Sequence, residues 1–357
     1  MGAGSGARAA FLIALLVPGG FAHAQAQPEG SPVAESSGPR LTIRGFSNVD
    51  YAVHDEGRPD TFALGQFDLF MTSALSDKVS VLAEVVFEFG EDNAAVLDVE
   101  RVQIKYAPSD LFTISAGRMH TPLGFWNQTF HHGAWFQTTA DRPQMYLFED
   151  DGGILPVHEI GVEVAGRWSP RVATFKYNLS VVNGRGRIPD EVTNVQDLAD
   201  GKAVNVLLGV APESVRGLEL GVNAYFDTIP PGGDLFPPVG EIKERILGAY
   251  LVYRNRGVEV LAEASRVRHR TPDVFDTWGA YAQGSVKRGR FTPYYRFDWV
   301  KVAEGDPFLS PKNLGLHTVG LRVDAGSWVA LKAEYRLARP AGEPDVHAAR
   351  LQAAFAF

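Results

Sequence analysis

The chain has no cysteine. That excludes a disulfide framework, a cysteine-based zinc site and thiol chemistry. It also lacks any apolar run approaching the roughly 18 residues that a membrane-spanning helix needs. Lysines are few and the formal net charge is -8, which argues against nucleic acid as a partner. No glycine-rich phosphate loop on a strand-to-helix turn is present, nor any metal-ligand spacing better than chance. These absences remove most enzyme classes and every helical membrane protein.

What is present has a different logic. Arg8 precedes an apolar run from Ala9 to Val17, too short to span a bilayer and of the length of a signal-peptide core. Pro18-Gly19-Gly20 end it, and Ala22-His23-Ala24 offers a small-x-small cleavage site. Residues 1–24 are therefore expected to be a signal peptide for export. Residues 25–39 are Pro/Ser/Gly/Glu-rich and aperiodic, the composition of a flexible periplasmic lead-in.

From Arg40 the pattern has period two. Leu41, Ile43, Val49, Tyr51 and Val53 alternate with Thr42, Arg44, Asn48 and Asp50; Val79, Val81, Val85 and Phe87 alternate with Ser80, Glu84 and Glu88. The same alternation recurs through Phe175–Val181 and Val329–Leu337. Such segments suit strands with one face on lipid and one on water. A mean hydropathy near zero agrees, because half of each strand is then polar. Short turns such as Ser76-Asp77-Lys78 and Asn255-Arg256-Gly257 alternate with longer connections such as 183–201, 228–241, 269–274 and 301–313. The chain ends on Leu351-Gln352-Ala353-Ala354-Phe355-Ala356-Phe357, an alternating segment with a terminal aromatic, as a strand closing a membrane barrel requires. The fold expected for 40–357 is all-β: a transmembrane antiparallel barrel of about sixteen strands in the bacterial outer membrane.

The longest interruption is the third external connection, Met119 to Val157. A stretch of that length without regular structure is usually functional. It carries Phe125, Trp126, Phe130, Trp135, Phe136, Tyr146 and Phe148, too many aromatics to stand free in water, and the nearest surface is the inner barrel wall. The expectation is a loop folded into the lumen to narrow a pore. Strand parity turns Arg40, Arg44, Arg101, Lys105, Arg118, Arg245, Arg296, Arg322, Lys332, Arg336 and Arg350 inward, with a comparable set of acids that includes Asp50, Glu84, Glu263, Asp298 and Glu334. The basic residues on the last four strands form one wall; Glu149, Asp150 and Asp151 on the long loop are expected to oppose it, giving a transverse field across an eyelet. Trp126, Trp135 and Phe136 are candidate stacking surfaces for a solute. His120, His131 and His132 suggest a metal, yet adjacent histidines on extended chain point opposite ways, and neither a metal nor a cofactor is expected.

Several motifs add a resemblance. Gly117-Arg118-Met119-His120-Thr121-Pro122-Leu123-Gly124 is similar to the strand-to-loop motif of porins in the phosphate-selective O/P-type superfamily. Trp126-Asn127 to His131-His132-Gly133, Val182-Asn183-Gly184, Thr292-Pro293-Tyr294-Tyr295-Arg296-Phe297 and Thr318-Val319-Gly320-Leu321-Arg322 resemble the same family in the same order. The resemblance implies a homotrimeric, sixteen-stranded porin whose third loop constricts the channel. It does not carry phosphate selectivity with it, since that trait needs dense lysine and arginine. The function expected is passive diffusion of small hydrophilic solutes or ions, without catalysis. The alternatives are a substrate-specific anion or carbohydrate channel and, further away, an outer-membrane enzyme or adhesin.

Overall fold

The computed structural model describes residues 38–54, 60–89, 93–130, 133–149, 151–189, 201–231 and 240–357. The segments assigned above to the signal peptide and, up to residue 37, to the lead-in lie outside them, as do His131, His132 and Asp150.

The strands, in chain order, are β1 (Arg40–His54), β2 (Thr61–Ala74), β3 (Val79–Phe89), β4 (Ala95–Ser109), β5 (Phe112–His120), β6 (His158–Trp168), β7 (Ala173–Val182) and β8 (Ala203–Pro212). They continue as β9 (Leu218–Ile229), β10 (Ile242–Asn255), β11 (Val258–Arg270), β12 (Val274–Val286), β13 (Phe291–Lys301), β14 (Asn313–Asp324), β15 (Val329–Pro340) and β16 (Val346–Ala356). Each pairs antiparallel with its neighbours in sequence, and β16 closes onto β1, so the sheet is one sixteen-stranded barrel. The seam runs from Phe46 opposite Ala356 to His54 opposite Ala348, and Phe357 and Gly45 exchange backbone hydrogen bonds of 2.8 Å.

Alternation sets the two faces. Leu41, Ile43, Leu97, Ile104, Leu179, Leu247 and Tyr335 point outward and are exposed, while Asp68, Glu84, Asn205, Thr277, Asp298 and Thr318 are buried inside. This is the inverse of a water-soluble protein, and it is the arrangement that a hydrocarbon exterior stabilises. Arg245, expected inside, is on the outer face beside Leu247; its neighbour Glu244 takes the inward position and is fully buried. The connection expected over 269–274 shrinks to 271–273, closed by a bond from the Thr271 N–H to the Asp273 carbonyl. The charged run His269-Arg270 has the composition of a loop, but His269 turns in and Arg270 turns out, so both belong to the strand.

Irregularities re-aim particular side chains. The register slips where Glu84 and Val85 face Arg101 and Val99, leaving Glu100 as an extra residue. Such a bulge lets two successive residues share one face; Glu100 is fully buried while Arg101 bonds inward to Glu84 at 2.6 Å. Gly117, in the motif singled out above, has φ +135, and a Cβ there would stand 2.0 Å from the Val102 carbonyl oxygen on the paired strand. Only glycine fits both the backbone angle and the close approach. Gly117→Ala is expected to lower the unfolding free energy of the barrel by about 2 kcal/mol or more, read as a shifted urea midpoint in lipid vesicles; an unchanged midpoint would contradict the geometry.

Candidate pore constriction

Residues 121–157 connect β5 to β6 and begin with a sharp turn at Gly124, whose φ is +67. A short helix follows, α1 (Trp126–Phe130), and a 3-10 turn spans Gln144–Tyr146. Neither is long enough to be stable alone. Their stability comes from packing: Trp126 stacks on Tyr146 at 5.6 Å between ring centroids, and Leu123, Met145, Ile154 and Leu155 are fully buried. They pack in one cluster with inward side chains of β8–β13, among them Leu207, Tyr225, Ile246, Leu261, Val267, Tyr281 and Val300. That stretch of inner wall sets these apolar side chains among its polar ones, so the sequence provides a hydrophobic seat for the loop inside a hydrophilic barrel.

Charged groups on the wall then fix the loop backbone. The Glu263 carboxylate accepts bonds from the Phe125 and Trp126 N–H groups at 2.8 Å each, and from the Tyr146 and Tyr281 hydroxyls at 2.8 and 2.6 Å. Asp298 accepts from the Gln144 N–H at 3.0 Å and Glu334 from the Ala140 N–H at 2.6 Å. In the opposite sense, Arg296 donates to the carbonyls of Asp141 and Arg142, Lys332 to those of Ala134 and Thr139, and Arg322 to those of Trp135 and Gln137. Hydrogen bonds to an ionised partner are worth about 1.5–3 kcal/mol each, and losing one partner strands the other in a buried site. The loop is thus held by both its donors and its acceptors.

Asp141 is the loop's own charged contact with the basic wall. Its carboxylate bridges Arg336, at 2.5 Å, and Arg350. Burial alone would raise the Asp141 carboxyl, but the guanidiniums of Arg350, Arg336 and Arg296 outweigh that and hold it well below the usual aspartate range. Next to it, Arg142 lays its guanidinium 3.8 Å from the Phe148 ring centre, a cation–π contact. Burial lowers its pKa, with Glu100 and Glu88 opposing.

The sequence-derived residues separate accordingly. Arg296, Lys332 and Trp126 are buried, so they anchor or fill the loop rather than line open space. Arg322, Arg336 and Arg350 are partly exposed, each already committed to a loop group. Trp135 stacks on Trp328 at 6.0 Å, and its carbonyl is one of those held by Arg322. Arg118 is buried and donates to the Glu100 carbonyl, and Lys105 is half-buried on the inner face of β4. Among the described residues the acid that meets the basic wall is Asp141; Glu149 lies 3.8 Å from Arg185, and Asp151 is exposed. Pairing one loop aspartate with two wall arginines could have been anticipated only from the register of the folded loop.

A second polar network ties further connections to the wall. Arg185, in 183–202, bonds Glu244 at 2.9 Å and the Ile154 carbonyl at 3.0 Å; His269 bridges Glu244 and Asp306, both at 2.9 Å. Burial would lower the Arg185 pKa, but Glu244 and Glu149 raise it instead. Sequence reading missed Asp141, Arg142, Arg185, Glu244 and Asp306, all of which become site residues only through long-range contact. It also linked His120 to His131 and His132, whereas His120 meets His158 and Glu100.

Beside the loop lie open cavities. One of about 400 Å³ is bordered by Gln128, Thr129, Lys176, Asn178 and Glu219. Another, of about 380 Å³, is bordered by Gln128 and Thr129 again, with Glu84, Arg101 and His120. A third, of about 530 Å³, lies between Asp50, Gln66 and Glu88 on the wall and Asp141, Arg142 and Arg350. Cations and acids alternate around them, with Arg101 on Glu84 at 2.6 Å and Lys176 on Glu219 at 2.5 Å.

No protein-family model matches the chain, and no curated relative does. Solved structures do. The anion-selective porin from Comamonas acidovorans is 11% identical, with a TM-score of 0.62, over 89% of this chain and all of that one. The outer membrane channel DcaP of Acinetobacter baumannii is 10% identical, with a TM-score of 0.59, over 91% of this chain and 99% of that one. OmpT, an outer membrane protein of Vibrio cholerae, matches in its trimer form at 11% identity and a TM-score of 0.59, over 90% of this chain and all of that one. At such low identity the likeness concerns the fold: this chain has the closed, sixteen-stranded barrel of outer-membrane porins.

Proposed function

We propose that the chain is a porin: a water-filled channel in the bacterial outer membrane through which small hydrophilic solutes and ions diffuse passively. The observation that carries this reading is the third connection, seated on an apolar patch of inner wall and bonded there by Glu263, Arg296 and Lys332. A loop so held narrows the lumen without sealing it, because polar cavities remain beside Gln128 and Thr129. The outward apolar face would meet outer-membrane lipid, and residues 1–24 would direct export. A homotrimer is proposed as the assembly, on the resemblance and on the trimeric form of one structural neighbour.

Selectivity follows from how the charges are spent. Arg296 and Arg322 pair with Asp298 and Asp324 at 2.7 and 2.9 Å while they and Lys332 donate to loop carbonyls, and Arg336 and Arg350 share Asp141. A phosphate-type relay needs arginines free to take an anion, and a sugar slide needs a run of exposed aromatics, whereas Trp126 is covered, Trp135 packs on Trp328 and Phe136 alone of the three is exposed. The channel proposed is therefore a general one with weak ion preference. In planar bilayers the folded protein should give discrete conductance steps with a small reversal potential in a salt gradient; absence of steps would overturn the proposal and favour an adhesin or enzyme.

Asp141 tunes this balance. Asp141→Asn removes one negative charge from beside two arginines and should shift the reversal potential toward anions, most at low salt where screening is weakest. An unchanged potential would place Asp141 outside the conduction path.

The same carboxylate predicts a pH response. Its folded-state pKa lies below the unfolded one, so the contribution is complete above roughly pH 4 and is lost as pH falls beneath it. The stability that Asp141 contributes, read as the urea midpoint of the folded barrel, should be complete above about pH 4 and fall below it, with the acid loss smaller in Asp141→Asn; identical acid profiles in both proteins would contradict this.

A further inference from the structure

Across the barrel from the loop anchors, three residues on consecutive strands converge. His120 ends β5 and His158 begins β6, and the two are directly paired, with ring centroids 5.6 Å apart. Glu100 reaches them from β4 because the bulge makes it an extra inward residue. One donor atom from each of Glu100, His120 and His158 lies within 4.8 Å of the other two, and the His158 Nε2 touches a Glu100 carboxylate oxygen. The carboxylate of Glu84 stands 3.9 Å from the His120 Nε2. All four side chains are buried or nearly so.

We propose that this cluster is a binding site for a divalent transition-metal ion of the zinc class, with Glu100, His120 and His158 as ligands and Glu84 as the nearest fourth donor. Two imidazoles and a carboxylate are a donor set that such ions take, at bond lengths near 2.0–2.2 Å. Those lengths place the donors of a tetrahedral ion about 3.4 Å apart, so an ion would part the touching His158 and Glu100 donors and draw His120 in by side-chain rotation while the paired strands stay fixed. Histidine and carboxylate also select against calcium and magnesium, which prefer all-oxygen shells.

Two neighbours bear on the site. Arg142 is close enough to Glu100 to feel its charge, and Arg101 bonds Glu84. Without an ion, these cations and the histidines form an internal charge network, which is the competing reading. The Phe148 ring lies parallel to His158 at 6.1 Å, so the far end of the long loop covers the cluster. His120 and Glu84 border the cavity of about 380 Å³, which gives an ion a route from the lumen. A bound ion would clamp β5 to β6 at the two points where the loop leaves and re-enters the wall.

The test is titration of Zn²⁺, and of Co²⁺ as a visible probe, into the EDTA-treated, folded protein in detergent. The proposal predicts one ion per chain and the intense visible absorption of four-coordinate Co²⁺. H158N and E100Q should each weaken uptake by more than about tenfold, with far-UV circular dichroism and heat-modifiable gel migration unchanged. H131N combined with H132N should leave uptake as it is. H120N replaces H158N if the latter fails to fold. No stoichiometric uptake by the unsubstituted protein would overturn the proposal and leave the charge network. Uptake that survives H158N and E100Q but disappears in H131N/H132N would overturn it equally, as adventitious binding elsewhere.

Discussion

In hydrocarbon, a backbone N–H or C=O without a partner costs several kcal/mol, and no water is at hand to supply one. Everything else in this molecule follows from that constraint. A sheet that spans lipid must close, and here it closes between β16 and β1, where Phe357 and Gly45 complete the ladder. Closure with sixteen strands leaves an interior too wide for the wall side chains alone to fill. The strand period then decides chemistry: apolar residues go to lipid, and charged ones go into a space that must be either wet or filled.

The third connection answers that second demand. It is a small hydrophobic layer, built around Trp126, Met145, Tyr146, Ile154 and Leu155, laid on the part of the inner wall that is itself apolar. Apolar packing alone would let it slide. The carboxylates of Glu263, Asp298 and Glu334 capture its N–H groups, and Arg296, Arg322 and Lys332 capture its carbonyls, so its position is fixed by directional bonds to rigid strands. The same wall charges also pair with one another, Arg296 with Asp298 and Arg322 with Asp324, so the position of the loop and the engagement of the wall charges are two results of one set of contacts.

Much of the architecture was legible in the sequence because a barrel strand repeats one simple rule. Period-two alternation and the segregation of short and long connections located the strands, and they failed where a charged run imitated a loop, at His269-Arg270, and where the outward face carried charge, at Arg245. Strand parity also placed Arg296, Arg322, Lys332, Arg336 and Arg350 together on the inner wall. What they do there was not legible. Arg296 reads as a pore arginine by parity, yet it is buried because a loop more than a hundred residues away in sequence lies over it. Asp141 passed unnoticed for the same reason, since its partners Arg336 and Arg350 are distant in the chain. Glu100 was hidden by a bulge, which shifts parity by one residue without altering composition.

The central claim is that the loop, held by buried charges, sets the width of the channel. Its most direct test is the unitary conductance of the folded protein beside a variant with the anchors Glu263→Gln, Arg296→Gln and Lys332→Gln combined. The released loop should give larger and noisier steps and admit larger uncharged polymers. Equal unitary conductance and equal polymer exclusion in both proteins would contradict it.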